Sequence, residues 1–161
     1  MKVIRGAVQT TPELLQVLES LRYRSVPKWL GLFRFHVYKL KEGDLSGLPA
    51  LIRAEVTKLM TLAEPQEWNT VFVQHYFPGE GVLPHRDPKN NLDHTVIGLY
   101  GENYETALRV DMEWAAQHPG DVFVLPCTLA GKQGPIHEMR WPEDCSAYSD
   151  RYAIVLNRIV D

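Results

Sequence analysis

The chain has 161 residues, of which 45% are hydrophobic and 23% charged, and a net charge of −3. That length suits one domain around one core, and the composition is that of an ordinary soluble globular protein. It contains no apolar run long enough to span a bilayer, and its overall charge is not that of a general nucleic-acid binder.

The N-terminal stretch MKVIRGAVQTTPELL lacks the apolar core and small-residue cleavage site of a secretory signal. Cys127 and Cys145 have neither zinc-ligand nor redox spacing. An intracellular, reducing setting, cytoplasm or nucleus, is therefore expected. Thr10-Thr11-Pro12-Glu13 reads as a helix start, with Thr10 as N-cap and Glu13 at the capping-box position, and this helix is predicted to run to about residue 22. Residues 21–41 hold Arg22, Arg24, Lys28, Arg34, Lys39 and Lys41 with no acidic residue. Tyr23, Trp29, Phe33, Phe35 and Tyr38 are mixed among them. Basic and aromatic side chains together suit phosphates and unstacked bases. A buried set of aromatics beneath a solvated basic face is the simpler account.

Residues 33–39 alternate as a strand does. A second helix is predicted to start within residues 46–49 and run to about 62, with Leu48, Leu51, Ile52, Val56, Leu59 and Met60 on one face. From Thr70 the pattern becomes short strands at 70–77, 94–101, 107–112, 121–126, 134–141 and 151–160. Pro78-Gly79, Pro119-Gly120 and Gly131 mark turns between them. Helices followed by many short strands predict an α+β domain with a β-sandwich or jelly roll.

Within PHRDPKNNLDH, His85 and Asp87 are two residues apart, a spacing that puts both on one face of a strand with Arg86 pointing away. Two such ligands and a distant histidine form the facial triad of non-haem iron(II) oxygenases, which leaves coordination positions open. H-x-D alone is weak evidence. His137, in the strand-like GPIHEMRW, is the candidate third ligand, and Arg151 opens the last strand, where a buried guanidinium would grip a dicarboxylate through two bonds. His94 reads as a bystander beside a complete triad. His75 is expected to face away from Tyr76, and His36 and His118 have no motif support.

WNTVFVQHYFPGEGVLPHRD resembles the core segment of AlkB-like Fe(II)/2-oxoglutarate dioxygenases, and YFPGEGVLPHRD is similar to a subgroup with Y-x-P-G-E-G-I-x-P-H-x-D. PGDVFVL resembles the family strand before the second histidine, and GLPALI the helix before the core. The resemblance runs from Trp68 to the C-terminus, with a vaguer match upstream. It implies a double-stranded β-helix, or jelly-roll, core with supporting N-terminal helices, in a single domain over 1–161. Residues 1–67 would form the helices and a substrate lid, and 68–161 the core.

The same resemblance implies Fe(II) held by His85, Asp87 and His137, with 2-oxoglutarate and dioxygen as cosubstrates. Tyr76 and Arg151 would hold the far carboxylate of 2-oxoglutarate. Gln74 stands where the family has an asparagine, and Ala153 replaces a polar residue. The family's second arginine falls at Asn157, with Arg158 next, so either residue is a candidate for that contact. The implied activity is hydroxylation or oxidative demethylation of an alkylated or methylated nucleic-acid base, with residues 22–41 in the lid and Lys89 and Trp141 near its mouth. Alternatives are an oxygenase acting on proteins or small molecules, a cupin-like metal site with non-oxidative chemistry, and a non-catalytic nucleic-acid-binding module.

Overall fold

The computed structural model describes residues 1–88, 90–126 and 134–160. Lys89, Cys127 and Gly131 lie outside the described residues. Among the described residues, eleven strands and two α-helices follow one another along the chain, with a short 3-10 turn at Lys41–Gly43: β1 (Lys2–Ile4), α1 (Pro12–Ser20), β2 (Arg24–Ser25), β3 (Arg34–Lys39), α2 (Ala50–Met60), β4 (Thr70–Tyr76), β5 (Val82–His85), β6 (Asn91–Tyr100), β7 (Thr106–Val110), β8 (Glu113–Gln117), β9 (Val122–Pro126), β10 (His137–Arg140) and β11 (Arg151–Ile159). None of the described helices is long and apolar enough to cross a membrane.

The strands form two sheets, one of seven in the order β1-β9-β6-β11-β4-β3-β2 and one of four in the order β5-β10-β7-β8. Every pairing between named strands is antiparallel. Strand alternation divides the core in two. Tyr152, Ile154 and Leu156 of β11 join Val71 and Val73 of β4 in a cluster with Leu14, Leu18, Ile52, Val56 and Leu59 of the helices. Ala153 and Val155 face the other way, into a second cluster with Tyr76, Leu108, Phe123, Leu125 and Met139. The smaller sheet therefore packs on one face of the larger and the helices on the other, as in a jelly roll.

Several local expectations shift. The N-cap of α1 is Thr11, whose Oγ1 accepts from Leu14 N, and not Thr10, whose hydroxyl accepts from Gly101 N. With the cap moved by one residue, Leu14 and not Glu13 occupies the capping-box position, and the helix stops at Ser20. Leu51 is exposed and Met60 only half-buried, while Glu55 is buried on α2 and accepts a hydrogen bond from the Tyr100 hydroxyl. β1, β2 and β3 all join the larger sheet, so strands from before residue 68 help to build it.

Two connections matter for the site. Pro78 and Gly79 fill the centre of the turn from β4 to β5, with Glu80 N donating to Phe77 O and Gly79 at φ +90°, a left-handed position that suits glycine. The segment before β3 is pinned on β5 by Leu32 N to Gly81 O and Leu83 N to Leu30 O. Gly31 lies so close to β5 that a Cβ there would collide with Gly81 O.

Candidate metal centre

β10 is an inner strand of the smaller sheet and β5 its edge, and their register sets His137 directly opposite His85. Cross-strand partners on one face lie side by side, and the two imidazole centroids are 4.2 Å apart. The register shifts between His137 and Met139, so β5 carries an extra residue there. Such bulges re-aim side chains, and the edge position tolerates Pro84, which has no N–H to give a ladder. Asp87 lies beyond the end of β5 and not on the strand, which corrects the expectation from alternation. The chain after His85 is tied down by Arg86 Nη1, which donates to Gly134 O at 2.9 Å.

Asp87 Oδ1 is 3.6 Å from His85 Nε2 and 3.8 Å from His137 Nε2. One ligand atom from each of the three residues lies within 4.8 Å of the others. Each histidine turns Nδ1 toward the carbonyl two residues before it, Leu83 O at 2.8 Å and Pro135 O at 3.2 Å. A carbonyl can only accept, so Nδ1 carries a proton, and Nε2 is the nitrogen that faces Asp87 and that would bind a metal once it is unprotonated. Asn91 Nδ2 donates to the other Asp87 oxygen at 3.3 Å, leaving Oδ1 to face the histidines.

Charge and burial oppose one another here. Burial raises the Asp87 carboxyl, but the His85 hydrogen bond, the two imidazoles and Asn91 together hold it below the usual range. Burial lowers His137, and the Asp87 charge only partly offsets this. At His85 the effect of burial is outweighed by Asp87 and the Leu83 carbonyl, and its pKa is raised.

His85, Asp87 and His137 line a cavity of about 340 Å³, whose wall on the larger sheet includes Gln74, Tyr76, Arg151 and Asn157. Register places Arg151 opposite Tyr76 and Ala153 opposite Gln74. The Tyr76 hydroxyl donates to Gln74 Oε1 at 2.9 Å, the Arg151 guanidinium lies 4.6 Å from the Tyr76 ring centroid, and Phe33 stacks on that ring at 4.6 Å. Burial pushes the Tyr76 phenol up to about 12 despite the Arg151 charge, so it stays a proton donor. Asn157 Oδ1 accepts from Thr95 Oγ1 at 2.6 Å. Arg158 points away from the cavity, with Nη1 3.1 Å from Asp93 Oδ2 and Nη2 3.7 Å from Glu67 Oε2. The irregularity beside it falls in β6, where four residues span two of β11, so β11 keeps its alternation.

Sequence reasoning missed Asn91 and Gln117. Asn91 stands within the PHRDPKNNLDH stretch. Gln117 is fully buried on β8, and its Oε1 accepts from Arg151 Nη2 at 3.1 Å and Thr106 Oγ1 at 3.0 Å. His94 lies outside the ligand cluster, with its main chain paired to Gln66. His75 faces the helix side, where Nε2 meets Asp150 Oδ2 at 2.8 Å and the ring stacks on Tyr152. Trp141 Nε1 donates to Glu80 O at 2.5 Å.

The basic and aromatic stretch serves more than one purpose. Phe33 is buried, Tyr23 and Tyr38 pack against the helix-side core, and Arg34 is bound to Glu80 and lies over the Phe77 ring. Val26, Pro27, Leu30, Phe33 and Phe35 line the cavity, while Arg24, Lys28 and Trp29 are exposed.

The donor set of two imidazole nitrogens and one carboxylate oxygen fits iron(II) with open positions. Arg151 Nη1 and Nε and Gln117 Nε2 are buried and make no hydrogen bond among the described residues. Buried donors of this kind call for a partner, and a carboxylate in the cavity would supply one.

Neither a family model nor a curated protein sequence matches the chain. Solved structures do. A prolyl-4-hydroxylase of Pseudomonas putida matches with a TM-score of 0.60 at 9% identity, over 99% of this chain and 92% of its own. A predicted oxalate decarboxylase of Thermotoga maritima matches with a TM-score of 0.50 at 10% identity, over 88% of this chain and 96% of its own. The chain is a double-stranded β-helix. At such identities the likeness is one of fold, and this fold carries more than one chemistry.

Proposed function

We propose that the protein is an Fe(II)- and 2-oxoglutarate-dependent dioxygenase of the AlkB-like kind, acting on nucleic acid that carries an alkylated base. One observation carries this reading. A His85–Asp87–His137 cluster and a buried Arg151 guanidinium with unused N–H groups line one cavity. A non-oxidative cupin site explains the cluster but gives the arginine no task.

His85, Asp87 and His137 would hold the metal through Nε2, Oδ1 and Nε2. Arg151 and the Tyr76 hydroxyl would hold the far carboxylate of 2-oxoglutarate, with Gln74 fixing the direction of the phenol O–H. When bound, iron, 2-oxoglutarate and dioxygen supply the oxidising power to hydroxylate a C–H bond, and a hydroxylated N-methyl group falls apart to formaldehyde and the bare nitrogen. The protein's own contribution is orientation and the exclusion of water by the apolar walls. Phe35 and Leu30 offer flat and apolar surface on the cavity wall, which suits an unstacked base, while Arg24 and Lys28 on the same segment suit its phosphates.

The test is an anaerobic titration of the iron(II) protein with 2-oxoglutarate, read by visible absorption. A weak charge-transfer band from the iron–keto-acid chelate is expected, and it should vanish in Asp87→Ala. No band with the wild-type protein overturns the cosubstrate assignment. Formaldehyde release from methylated oligonucleotides, compared with methylated peptides, then tests the substrate class. If Asp87→Ala keeps nucleic-acid binding in a chain that never turns over, the non-catalytic module is the better reading.

A further inference from the structure

Gln117 stands on β8, at the edge of the smaller sheet opposite to β5, yet it reaches Arg151 of the larger sheet. It is fully buried, opposite Thr106 in the β7–β8 register. An amide can be turned either way round, and only its surroundings say which end is oxygen. Here they do. Arg151 Nη2 can only donate, and it lies 3.1 Å from the same atom that receives the Thr106 hydroxyl at 3.0 Å. That atom is therefore Oε1, and the NH2 group is the other end. Nε2 is buried without a hydrogen bond among the described residues, as are Arg151 Nη1 and Nε. Both residues line the cavity that holds the His85–Asp87–His137 cluster.

Left as they are, these N–H groups would be costly, because a buried donor without an acceptor loses its water and gains nothing in return. A neutral polar ligand would satisfy some of them. A carboxylate suits the set better, since the guanidinium supplies charge and an amide beside it supplies further donors.

We propose that Gln117 is itself part of the carboxylate-binding subsite, donating from Nε2 to the same far carboxylate of a 2-oxo dicarboxylic acid that Arg151 holds. This rests on the reading of the site as a 2-oxoglutarate site. Arg151 and Gln117 then form one fork with a tine on each sheet. Gln117 Oε1 holds the arginine in place, and its NH2 group faces the ligand. The bland alternative is that Gln117 only props Arg151.

Gln117→Glu puts the donor at risk, and the NMR signals of the side-chain NH2 group separate the two roles. A carboxylate keeps the shape and still accepts from Arg151 and Thr106, so a prop is preserved or strengthened. It cannot donate, and it sets a negative charge against the ligand's. The full-length iron(II) protein, kept anaerobic, would be titrated by calorimetry with 2-oxoglutarate and with oxalate, which can chelate the metal but has no far carboxylate. Loss of a charge-assisted bond with added repulsion predicts affinity for 2-oxoglutarate weakened by about 30-fold in Q117E, with oxalate and iron affinities unchanged within about twofold. Equal 2-oxoglutarate affinity in Q117E and wild type overturns the proposal while leaving the cosubstrate reading intact. A wild-type protein that binds oxalate but not 2-oxoglutarate overturns both. Should Q117E fail to fold, the wild-type protein loaded with zinc(II) answers instead. The side-chain NH2 signals of Gln117, assigned by their loss in Gln117→Met, should shift in NMR with 2-oxoglutarate and stay in place with oxalate. Signals that stay in place with both ligands sink the idea.

Discussion

Arg151 and Arg158 stand on one strand and end on opposite faces of it, because positions an odd number of residues apart face opposite ways. Arg151 is buried against Tyr76, and Arg158 reaches the half-exposed Asp93. On the proposed reading, Arg158→Ala should leave 2-oxoglutarate affinity within about twofold, and it should change stability by no more than about 1 kcal/mol, the range of an exposed ion pair. Titration with 2-oxoglutarate and a denaturant melt check both statements, and a large loss of affinity would return Arg158 to the site. That His85, Asp87 and His137 come together, in one cavity with Tyr76 and Arg151, was legible in the sequence from H-x-D with a distant histidine, from an arginine opening the last strand and from the family resemblance at Tyr76. Gln117 and Asn91 were not, since an amide looks the same in a loop, on a surface or beside a carboxylate. Whether residue 157 or 158 turns inward depended on which strand holds the irregularity, and that is a property of the pairing with β6.

Among the elements, α2 and β5 show two ways in which pattern reads or hides structure. The apolar stripe of α2 includes Ile52, Val56 and Leu59, all fully buried against the larger sheet. Leu59→Ala should cost about 2–5 kcal/mol in a chemical melt, the usual range for emptying a packed leucine site. The cavity lies on the other face of that sheet, so the iron–2-oxoglutarate absorption band expected on the proposed reading should be the same in the folded variant as in wild type. A shifted band would mean that the sheet transmits the defect. H-x-D implied a strand at His85, but the range of β5 could not be read, because Val82–His85 is short and contains a proline, and it pairs only at the sheet edge. β1 and β2 are shorter still. β8, with its two alanines, has little strand preference and is held by its partner β7. The longer strands β4, β6 and β11 were legible because burial on both faces demands sustained apolar runs.

Across the whole molecule, Tyr23, Tyr76, Tyr100, Tyr104 and Tyr152 have phenols strongly raised, in each case first by burial. A group whose folded pKa exceeds its unfolded value contributes stability that is complete below the unfolded pKa and is lost as pH rises through the folded one. The window therefore opens near the ordinary tyrosine value of about 10 and extends upward from there. Alkaline titration should give phenolate absorption from these tyrosines together with the loss of circular dichroism, in one cooperative step. Independent ionisation near the ordinary value in a still-folded chain would contradict their burial. The general architecture followed from the order of helices and strands. The part played by residues 26–35 did not, since the sequence offers a basic aromatic stretch and only the fold divides it between core, cavity wall and solvent.

The order β5-β10-β7-β8 has one more consequence. It sets His85 and Gln117 on the two edge strands of one sheet, three strand spacings or about 14 Å apart across the strands, with Gln117 four residues further along β8 than Glu113, the residue level with His85. No single loop adjusts that width, because it is fixed by main-chain ladders. On the proposed reading the sheet works as a gauge. The reach between metal and fork is cut to one length of diacid, and shortening or lengthening the ligand by a carbon would leave one end unmatched, however freely the surrounding loops move.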